Sequence, residues 1–393
     1  MNLCEKKVLL ILTDINMGGV TTAAVNFCKG LVERGNLVDV LIMSNRNNCD
    51  KSCFGEGVNF LNLSGKDRLW DLNLSVAKSE RNVIKKASLY ILGAFKKLIN
   101  KDSQWIRFLF GTKKRFCGYD IAIAYRQCAP CYHFALNCVE ADKKVAFVHG
   151  DINYMGDIST WQKYMSDFNV VAYVSDAVKA GFIERYPELA KNAVTIYNVF
   201  DVEGIKSKAQ VPCDVEFQNQ KFNIVTVSRI ENTMKGTNRI PYVCEKLKKM
   251  FGNTFRWYVV GDGPGLDECQ RLSSELSVSD CLAFLGARQN PYNILAKSDI
   301  CVLPTLSEAF PMIVGESLIL SVPIVTSRYP AATEIIEEGI NGLIAEQSID
   351  SLFDRVSLLM KDKTLYDKIK RECMSFTYNN DRSYNKLTEA FNR

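Results

Sequence analysis

The sequence predicts an α/β protein built from two doubly wound, parallel-sheet domains. The chain has 393 residues, and single cores stop growing at roughly 250–300 residues, so two domains are expected. Short apolar runs alternate with helical patterns along the chain, which is typical of βαβ units and parallel sheets. The hydrophobic fraction of 47% and the charged fraction of 24% are those of ordinary globular proteins. They argue against a disordered or fibrous chain.

The first half of the chain predicts strands that alternate with helices. Val8–Thr13 is a strand candidate because it is a short, continuous apolar run. Thr21 or Thr22 can cap a helix that runs to Arg34, and Gly35 then ends it. The other elements of this half are five strands, Val38–Met43, Ile121–Tyr125, Val145–Val148, Val170–Val174 and Val194–Tyr197, and one helix, Ala177–Arg185.

A polar stretch from 201 to 221 lacks periodicity and contains Pro212, so it predicts the domain linker. We therefore place the two domains at 1–205 and 206–380. A second alternating series follows the linker, and the chain is helical in pattern from Ile349 onward. The strands of this series are Ile224–Val227, Phe255–Val260, Leu282–Leu285, Ile300–Leu303 and Pro323–Thr326. Its helices are Asn238–Met250, Leu266–Leu276, Pro291–Lys297 and Pro311–Leu320.

The positive charge is concentrated in one segment, residues 78–115. It holds eleven lysine and arginine residues against two acidic ones, a net charge of +9, whereas the whole chain carries +5. Aromatic and aliphatic residues are interleaved with the bases, a composition typical of an interfacial helix on an anionic membrane. The alternative is an insertion helix whose apolar face packs on its own domain. Nucleic-acid binding is not expected, because no recognition motif accompanies the bases.

The chain carries no sign of membrane spanning or secretion. No uncharged apolar run approaches the roughly 20 residues that cross a bilayer, and Val8–Leu12 is too short for a signal peptide. Fourteen scattered cysteines do not resemble a disulfide framework. Cys128, Cys131 and His133 have a zinc-like spacing, but a second ligand pair is missing, so no metal site is expected. We expect a cytoplasmic protein with reduced thiols.

Ligands of open parallel sheets bind beyond the carboxyl ends of the strands, so the loops there are candidate sites. Arg229 and Lys235 lie six residues apart after Ile224–Val227 and predict two cations on one anion, such as a diphosphate leaving group. The alternative is two solvated surface bases. The glycines of the 261–265 loop allow a close approach of a ligand or of a neighbouring loop. This loop lacks the dinucleotide pattern GxGxxG, which disfavours a dehydrogenase.

The most specific pattern follows Ile300–Leu303. Pro311 suits a first helical turn, so Glu308 precedes the helix and Glu316 lies about a turn and a half inside it. The two carboxylates are then on the order of 10 Å apart, which matches the sugar and the ribose of a nucleotide sugar. Carboxylates accept hydrogen bonds from hydroxyl groups, and the helix N-terminus between them suits an anion. The alternative is a capping glutamate and an unrelated helical one.

Motifs between roughly Phe222 and Glu346 occur in a defined order. They are Ser228-Arg229, Lys235-Gly236, Gly261-Asp262-Gly263, Phe284-x-Gly286, Asp299 to Pro304, the pair Glu308/Glu316, Pro323-Ile324-Val325, Glu334-Ile335-Ile336 and Asn341-Gly342. This series resembles family 4 of the retaining nucleotide-sugar glycosyltransferases, which have the GT-B fold of two Rossmann-like domains facing across a cleft. The first half matches more loosely, through Gly18-Gly19-Val20, His149-Gly150 and Asn198.

The resemblance implies a role for each of these residues. Arg229 and Lys235 would hold the donor diphosphate, Glu316 the ribose hydroxyls and Glu308 the donor sugar, while His149 would face the reacting sugar. The remaining donor-binding candidates are Gly19, Gly263, Gly286, Arg288, Ala309, Phe310, Pro311, Met312 and Ile313. The backbone at 286–288 would receive the base, and Gly19 would approach the phosphate or the acceptor from the first domain. The C-terminal helix, 381–393, would return to that domain.

Two departures from the family pattern concern glycines. Ala331-Ala332 stand where glycines are common, and so does Ser321. Neither departure touches a charged role. An Asp-x-Asp triplet is missing from the sequence, which fits metal-independent catalysis in which Arg229 and Lys235 do the work of a cation.

These features predict a metal-independent, retaining hexosyltransferase that needs no cofactor. It would move a hexose or N-acetylhexosamine from a nucleoside-diphosphate sugar, with UDP favoured on frequency alone, to a glycan or lipid-linked acceptor. The expected process is surface-polysaccharide biosynthesis (O-antigen, capsule or exopolysaccharide) at the inner face of the plasma membrane. One alternative is a nucleotide-sugar epimerase of the same fold, which would not need the basic segment. The other is a non-catalytic nucleotide-sugar-binding protein, against which the retained charged residues argue.

Overall fold

The computed structural model describes residues 3–44, 50–63, 70, 83–99, 102–218 and 220–392. The chain divides into two compact units. The first comprises the residues up to 174, residues 179–199 and residues from 381 onward, and the second comprises 175–178 and 200–380. Each unit contains a parallel sheet with helices, so the predicted α/β class is confirmed.

The described strands form two sheets, and every strand pairs in parallel with its neighbours. The first sheet has the order β3-β2-β1-β4-β5-β6-β7 and the second the order β10-β9-β8-β11-β12-β13. The strands are β1 Lys7–Leu12, β2 Leu37–Ile42, β3 Val58–Asn62, β4 Phe116–Ala124, β5 Val139–Val148, β6 Val170–Tyr173, β7 Ala193–Thr195, β8 Phe222–Val227, β9 Phe255–Val260, β10 Leu282–Gly286, β11 Ile300–Leu303, β12 Ile324–Ser327 and β13 Gly342–Ala345. In each sheet the chain order reverses beside the first strand, as in doubly wound folds.

Helices cover the sheets within the described residues. They are α1 Gly19–Glu33, α2 Val83–Ile99, α3 Asp102–Phe110, α4 Ala129–Asn137, α5 Ser159–Gln162, α6 Asp176–Arg185, α7 Val202–Ala209, α8 Ile240–Phe251, α9 Leu266–Glu275, α10 Tyr292–Leu295, α11 Met312–Ile319, α12 Ile349–Lys361, α13 Lys363–Met374 and α14 Asp381–Phe391. The predicted helix at 311–320 therefore begins one residue later, at Met312, because Pro311 has extended backbone angles at the N-cap.

The strands β8, β9, β11 and β12 of the second sheet are largely buried and mainly apolar. The one buried threonine of β8, Thr226, is satisfied on both sides. Its hydroxyl donates to the carbonyl of Val302 at 2.7 Å and accepts the indole N–H of Trp257 at 3.0 Å. Buried polar groups must find such partners, so this bond pair fixes three strands relative to one another.

The predicted boundary between 205 and 206 differs from the observed division at 199/200. It would cut α7, which lies wholly in the second unit and buries Ile205 and Ala209. Asp201 caps this helix by accepting the N–H of Gly204 at 2.9 Å. The segment 201–221, which was predicted to be a linker, therefore contains the helix α7. Its mixed composition gives only a weak apolar stripe, so the sequence did not predict this helix.

The C-terminal helix α14 belongs to the first unit. The ring of Tyr384 stacks on Phe27 of α1 with centroids 5.4 Å apart, and its hydroxyl donates to the Phe27 carbonyl at 3.1 Å. Gly30 makes room for this ring, since a Cβ there would lie 2.1 Å from the Tyr384 hydroxyl. The core of the first unit thus includes residues from both ends of the described chain.

The basic segment 78–115 contains two helices of opposite character, although residues 78–82 and 100–101 lie outside the described residues. Helix α3 buries Trp105, Ile106, Leu109 and Phe110 in the first unit, as the packing alternative expects, and leaves Phe108 54% exposed. Helix α2 leaves Val83 78% and Ile91 70% exposed. Of the helices that the structure describes, none is both long and apolar enough to cross a membrane.

We predict that Tyr384→Ala destabilises the protein by about 3–5 kcal/mol, the usual range for deleting a buried aromatic side chain. The substitution removes both the stacking on Phe27 and the hydroxyl bond. Urea unfolding followed by circular dichroism measures the change. The control is Tyr154→Ala at an exposed tyrosine of the same unit, which should shift stability by less than about 0.5 kcal/mol. Equal effects of the two variants would contradict a structural role for α14.

Candidate functional site

The candidate site lies at the carboxyl edge of the second sheet, between β8 and β11. These strands are neighbours, with Ile224 paired to Ile300, although they are not consecutive in the chain. The sheet order reverses there, which is where doubly wound folds leave a crevice for ligands. The loops that follow the two strands, 228–236 and 304–311, therefore meet at this point.

Lys235 and Glu308 face each other across this point. The Lys235 Nζ lies 2.7 Å from Glu308 Oε1, and the Thr305 hydroxyl donates to the same oxygen at 3.1 Å. The Glu308 side chain is only 12% exposed, so its carboxylate needs hydrogen-bond donors such as these. The structure thus brings together two predicted site residues as an ion pair.

The loop that carries Glu308 is held by Arg239 and Gln347. One buried guanidinium nitrogen of Arg239 donates to the Pro304 carbonyl and the Ser327 hydroxyl, each at 3.1 Å, and to Gln347 Oε1 at 3.2 Å. Gly236 has φ 58°, and a Cβ there would lie 2.3 Å from the Pro304 carbonyl oxygen. Only glycine permits this approach, so the two loops are fixed at short distance.

Arg229 is exposed on the same loop as Lys235, and the glycines of the 261–265 loop approach the backbone of that loop closely. A Cβ at Gly261 would lie 1.8 Å from the Ser228 carbonyl oxygen, and one at Gly263 would lie 2.3 Å from that of Ile230. The sequence leaves open whether these glycines allow the approach of a ligand or of a neighbouring loop. The structure shows a neighbouring loop at this distance. Gly261 and Gly263 therefore contact the backbone on the two sides of Arg229, at Ser228 and Ile230.

Glu316 lies within α11 and is buried, with 6% of its surface exposed. The Tyr292 hydroxyl donates to its Oε1 at 3.0 Å. Burial raises the pKa of Glu316 to about 7, against the opposing effects of the Tyr292 bond and the nearby charge of Lys208. A carboxyl group that titrates near neutral pH is typical of functional sites.

The segment from Ala309 to Ile313 forms the turn into α11. The side chains of Ala309, Phe310, Pro311, Met312 and Ile313 are all buried. What this turn can offer a ligand is therefore its backbone, at a helix N-terminus that favours anions.

Gly286 and Arg288 follow β10. The Gly286 carbonyl accepts the N–H of Gly261 at 2.9 Å, which ties this turn to the glycine loop. The Arg288 guanidinium forms an ion pair with Asp214, and its hydrogen bond holds the pKa of that carboxyl below its usual value. The Arg288 side chain is therefore engaged in the protein itself.

Two predicted residues, Gly19 and His149, lie in the first unit. Gly19 is the exposed first residue of α1. His149 follows β5 with its ring against Tyr125 at 4.7 Å, and burial lowers its pKa to about 3, so the imidazole is neutral at neutral pH. Its Nε2 is buried without a partner among the described residues.

The described residues contain no group of three or more side chains that could hold a metal ion. His133, which has the zinc-like spacing from Cys128 and Cys131, places Nε2 3.0 Å from the Gly111 carbonyl and Nδ1 3.2 Å from the Asn137 amide. Both ring nitrogens therefore face protein groups.

Comparisons with known proteins support the resemblance seen in the sequence. Residues 211–374 match the family model described as glycosyl transferases group 1. N-acetyl-alpha-D-glucosaminyl L-malate synthase of Bacillus anthracis is 25% identical over 65% of this chain and 68% of its own. Two structures share the fold over nearly the whole of both chains. A variant of S. aureus TarM with UDP has a TM-score of 0.73 at 14% identity, covering 99% of this chain and 100% of its own. The structure of Anabaena Alr3699/HepE with UDP has a TM-score of 0.68 at 16% identity, and the match covers 98% of this chain and 99% of its own.

The chain is a GT-B glycosyltransferase. A second relative, the Campylobacter jejuni N-acetylgalactosamine-N,N'-diacetylbacillosaminyl-diphospho-undecaprenol 4-alpha-N-acetylgalactosaminyltransferase, is 26% identical over 48% of this chain and 50% of its own. The Escherichia coli lipopolysaccharide 1,6-galactosyltransferase is 24% identical over 43% of this chain and 46% of its own. The glycosyltransferase thus spans about half the length of these two relatives. The family match covers the loops that carry the charged site residues.

Three residues of this GT-B site were not predicted from the sequence, namely Arg239, Tyr292 and Thr305. Thr305 lies two residues after β11, so its position directly after a strand is a signal of the kind that pointed to Lys235 and Glu308. Arg239 and Tyr292 lie in the first turns after their loops, and only the folded structure relates them to the site.

We predict that Glu316→Gln changes how the stability of the glycosyltransferase depends on pH. The pKa of Glu316 is raised from 4.5 to about 7, so between these values the folded state keeps a proton that the unfolded state has lost. Stability from this group therefore falls as pH rises through that window. Between pH 4.5 and 8, the free energy of unfolding of the glutamine variant should therefore rise by a few kcal/mol relative to that of the wild type, at about 1.4 kcal/mol per pKa unit.

Urea unfolding of both proteins at pH 4.5, 6 and 8 measures this difference. Glu372→Gln, at an exposed glutamate of the same unit, serves as the control and should follow the wild type at every pH. A constant offset between Glu316→Gln and wild type across the three pH values would show that Glu316 ionises normally.

Proposed function

We propose that this GT-B glycosyltransferase transfers a hexose or N-acetylhexosamine from a nucleoside-diphosphate sugar to a glycan or lipid-linked acceptor. We further propose that it does so with retention of configuration and without a metal ion. The observation that carries the proposal is the Lys235–Glu308 ion pair at the switch point of the second sheet. It places a cation and a hydroxyl-binding carboxylate side by side, as a phosphate and the sugar attached to it require.

Lys235 and Arg229 are proposed to hold the donor diphosphate. Charge develops on the diphosphate as its bond to the sugar breaks, and cations fixed by the fold stabilise that charge in the transition state. Both residues lie on the loop after β8, which its glycine contacts hold in place. The N-terminal backbone of α11 adds a favourable dipole for the same anion. Because Lys235, Arg229 and the α11 N-terminus all favour the diphosphate, the proposed mechanism requires no metal ion.

Glu308 and Glu316 are proposed to bind hydroxyl groups of the donor. Carboxyl oxygens accept hydrogen bonds from hydroxyl groups, so we assign the sugar to Glu308 and the ribose to Glu316. Glu316 is buried and already accepts one bond from Tyr292. Removing an acceptor from a buried ligand contact leaves hydroxyl groups unpaired, which weakens binding.

Retention follows if the acceptor attacks from the face that the diphosphate leaves. The bond between the anomeric carbon and the diphosphate oxygen breaks as the acceptor oxygen bonds to that carbon. The acceptor proton passes to an oxygen of the departing diphosphate, so no protein base is required. His149, neutral because its pKa is about 3, would serve as a hydrogen-bonding group rather than as a cation.

Relatives and structural neighbours support the donor and acceptor classes. TarM and HepE have been crystallised with UDP, which favours UDP as the nucleotide. The Campylobacter jejuni relative is named for a diphospho-undecaprenol acceptor, and another relative, AmsK of Erwinia amylovora, for amylovoran biosynthesis. We therefore place this enzyme in the biosynthesis of a polysaccharide or lipopolysaccharide. The exposed apolar residues Val83 and Ile91 of the basic segment support peripheral contact with an anionic membrane.

We predict that UDP raises the melting temperature more than GDP or ADP does, and that EDTA leaves the shift unchanged. A ligand that binds only the folded state adds about 2.7 kcal/mol at one hundred times its dissociation constant. Glu316→Ala should reduce the shift because it removes the ribose acceptor. Donor consumption separates the alternatives: release of UDP excludes a non-catalytic binder, and a donor returned as its epimer indicates an epimerase.

We predict that Lys235→Ala lowers the turnover of the donor sugar about 10²–10³-fold, the usual effect of deleting one fixed charge-stabilising group. UDP release from UDP-glucose or UDP-N-acetylglucosamine measures it. The matched control is Lys246→Ala, which removes a surface lysine paired with Asp350 at 2.8 Å. Its rate should remain within about twofold of wild type, since surface pairs contribute little. If Lys235→Ala keeps a near-normal turnover and an unchanged melting temperature, Lys235 does not bind the donor diphosphate.

A further inference from the structure

Tyr329 lies on the loop directly after β12 and has no part in the chemistry described above. Its side chain is 3% exposed and belongs to the apolar core of the second unit. Its hydroxyl is buried without a hydrogen-bond partner among the described residues. Buried hydroxyl groups in native proteins almost always have a partner, so an unpaired one calls for a functional explanation.

The loop of Tyr329 is tied to the loop of Glu308. Strands β11 and β12 are neighbours, with Leu303 paired to Thr326. The side-chain amide of Gln347 donates to the carbonyl of Thr305 at 3.2 Å and to that of Arg328, the residue before Tyr329. Arg239 bridges the same two loops through Pro304 and Ser327. The two backbones therefore form one rigid edge beside the site.

The charges of two carboxylates act on the Tyr329 phenol. Burial raises the pKa of this phenol well above its usual value, and the charges of Glu308 and Glu334 raise it further. Glu334 is already engaged, since its two oxygens accept the backbone N–H groups of Asp176 and Ala177 at 2.8 Å each. The hydrogen bonds from Lys235 and Thr305 both reach Oε1 of Glu308. Because a carboxylate has two acceptor oxygens, Glu308 is the candidate partner for the Tyr329 hydroxyl.

We propose that Tyr329 is a positioning residue for Glu308. When the donor diphosphate engages Lys235, the Tyr329 hydroxyl becomes the hydrogen-bond donor that holds the Glu308 carboxylate toward the donor sugar. This inference rests on the proposed function, because it requires an anion that competes for Lys235.

The physical reason is a change of partner. In this structure Lys235 Nζ pairs with Glu308 Oε1 at 2.7 Å. A diphosphate shares that cation, which would leave a largely buried carboxylate with the Thr305 hydroxyl alone. The Tyr329 hydroxyl would supply a second hydrogen-bond donor to the Glu308 carboxylate, from a loop that is already fixed to the loop of Glu308. Because the Tyr329 ring is fixed in the core, its hydroxyl needs little further ordering to form the bond.

We predict that Tyr329→Phe leaves the affinity for UDP unchanged and lowers kcat for UDP release from UDP-glucose at least tenfold, with water as the acceptor. The substitution keeps the ring and removes only the hydroxyl. Tyr258→Phe is the control: this buried tyrosine of the same unit donates to the Glu216 carbonyl at 3.4 Å and should change neither quantity. A merely structural hydroxyl would give the two variants the same kcat.

An equilibrium cycle links the effect to Glu308. The ratio of UDP-glucose affinity to UDP affinity, measured by calorimetry, should fall several-fold in Tyr329→Phe and in Glu308→Gln. The double variant should show no further fall, because the hydroxyl acts through the carboxylate. Additive losses, or an unchanged kcat in Tyr329→Phe, overturn the Tyr329 proposal alone. Wild-type protein that binds no nucleoside diphosphate overturns both this inference and the proposed function.

Discussion

The site of this glycosyltransferase depends on one short ion pair, Lys235 to Glu308, which joins the loops that follow β8 and β11. Both loops leave the sheet where its strand order reverses, so the fold itself supplies the crevice. Around the pair, Gly236 allows close backbone approach, and Arg239 and Gln347 hold the carbonyls of the 304–306 turn. A half-buried pair of this kind contributes little net stability, since desolvation offsets its attraction. Its value lies in presenting a charge that an incoming anion can share.

Glu316 illustrates the opposing demands of stability and binding. All eight residues of α11 are buried, and a charge inside such a helix is unfavourable for the folded state. Tyr292 and Lys208 offset part of this penalty, yet the pKa still rises to about 7. Gly315, beside it, is fixed by the ring of Phe200, since a Cβ there would lie 2.2 Å from that ring. The fold thus keeps an acceptor at a position that packing alone would give to an apolar residue.

The sequence predicted the α/β class, two domains and the charged site residues, because these follow from apolar runs and from the residues at strand ends. Lys235 and Glu308 have that position, and the structure joins them. The helix α7 was missed because its apolar stripe is short, and β13 because a Gly-Leu-Ile-Ala run is too brief to classify. Tyr292 and Arg239 owe their roles to tertiary contacts between distant segments, which local periodicity does not encode. A single sequence can locate candidate charges at strand ends, but it does not show which side chains from distant segments will surround them.

Helix α14 has a consequence for the order in which this protein matures during synthesis. The first unit is discontinuous, and Tyr384 of α14 packs beside Gly30 of α1. Domains generally fold as units while the ribosome extends the chain. Here the second unit, residues 175–178 and 200–380, is synthesised before α14 emerges, so it can fold while the first unit still lacks a piece of its core. Until then the Phe27 ring lacks its stacking partner from α14, and the first unit completes its core only after the second unit has been made.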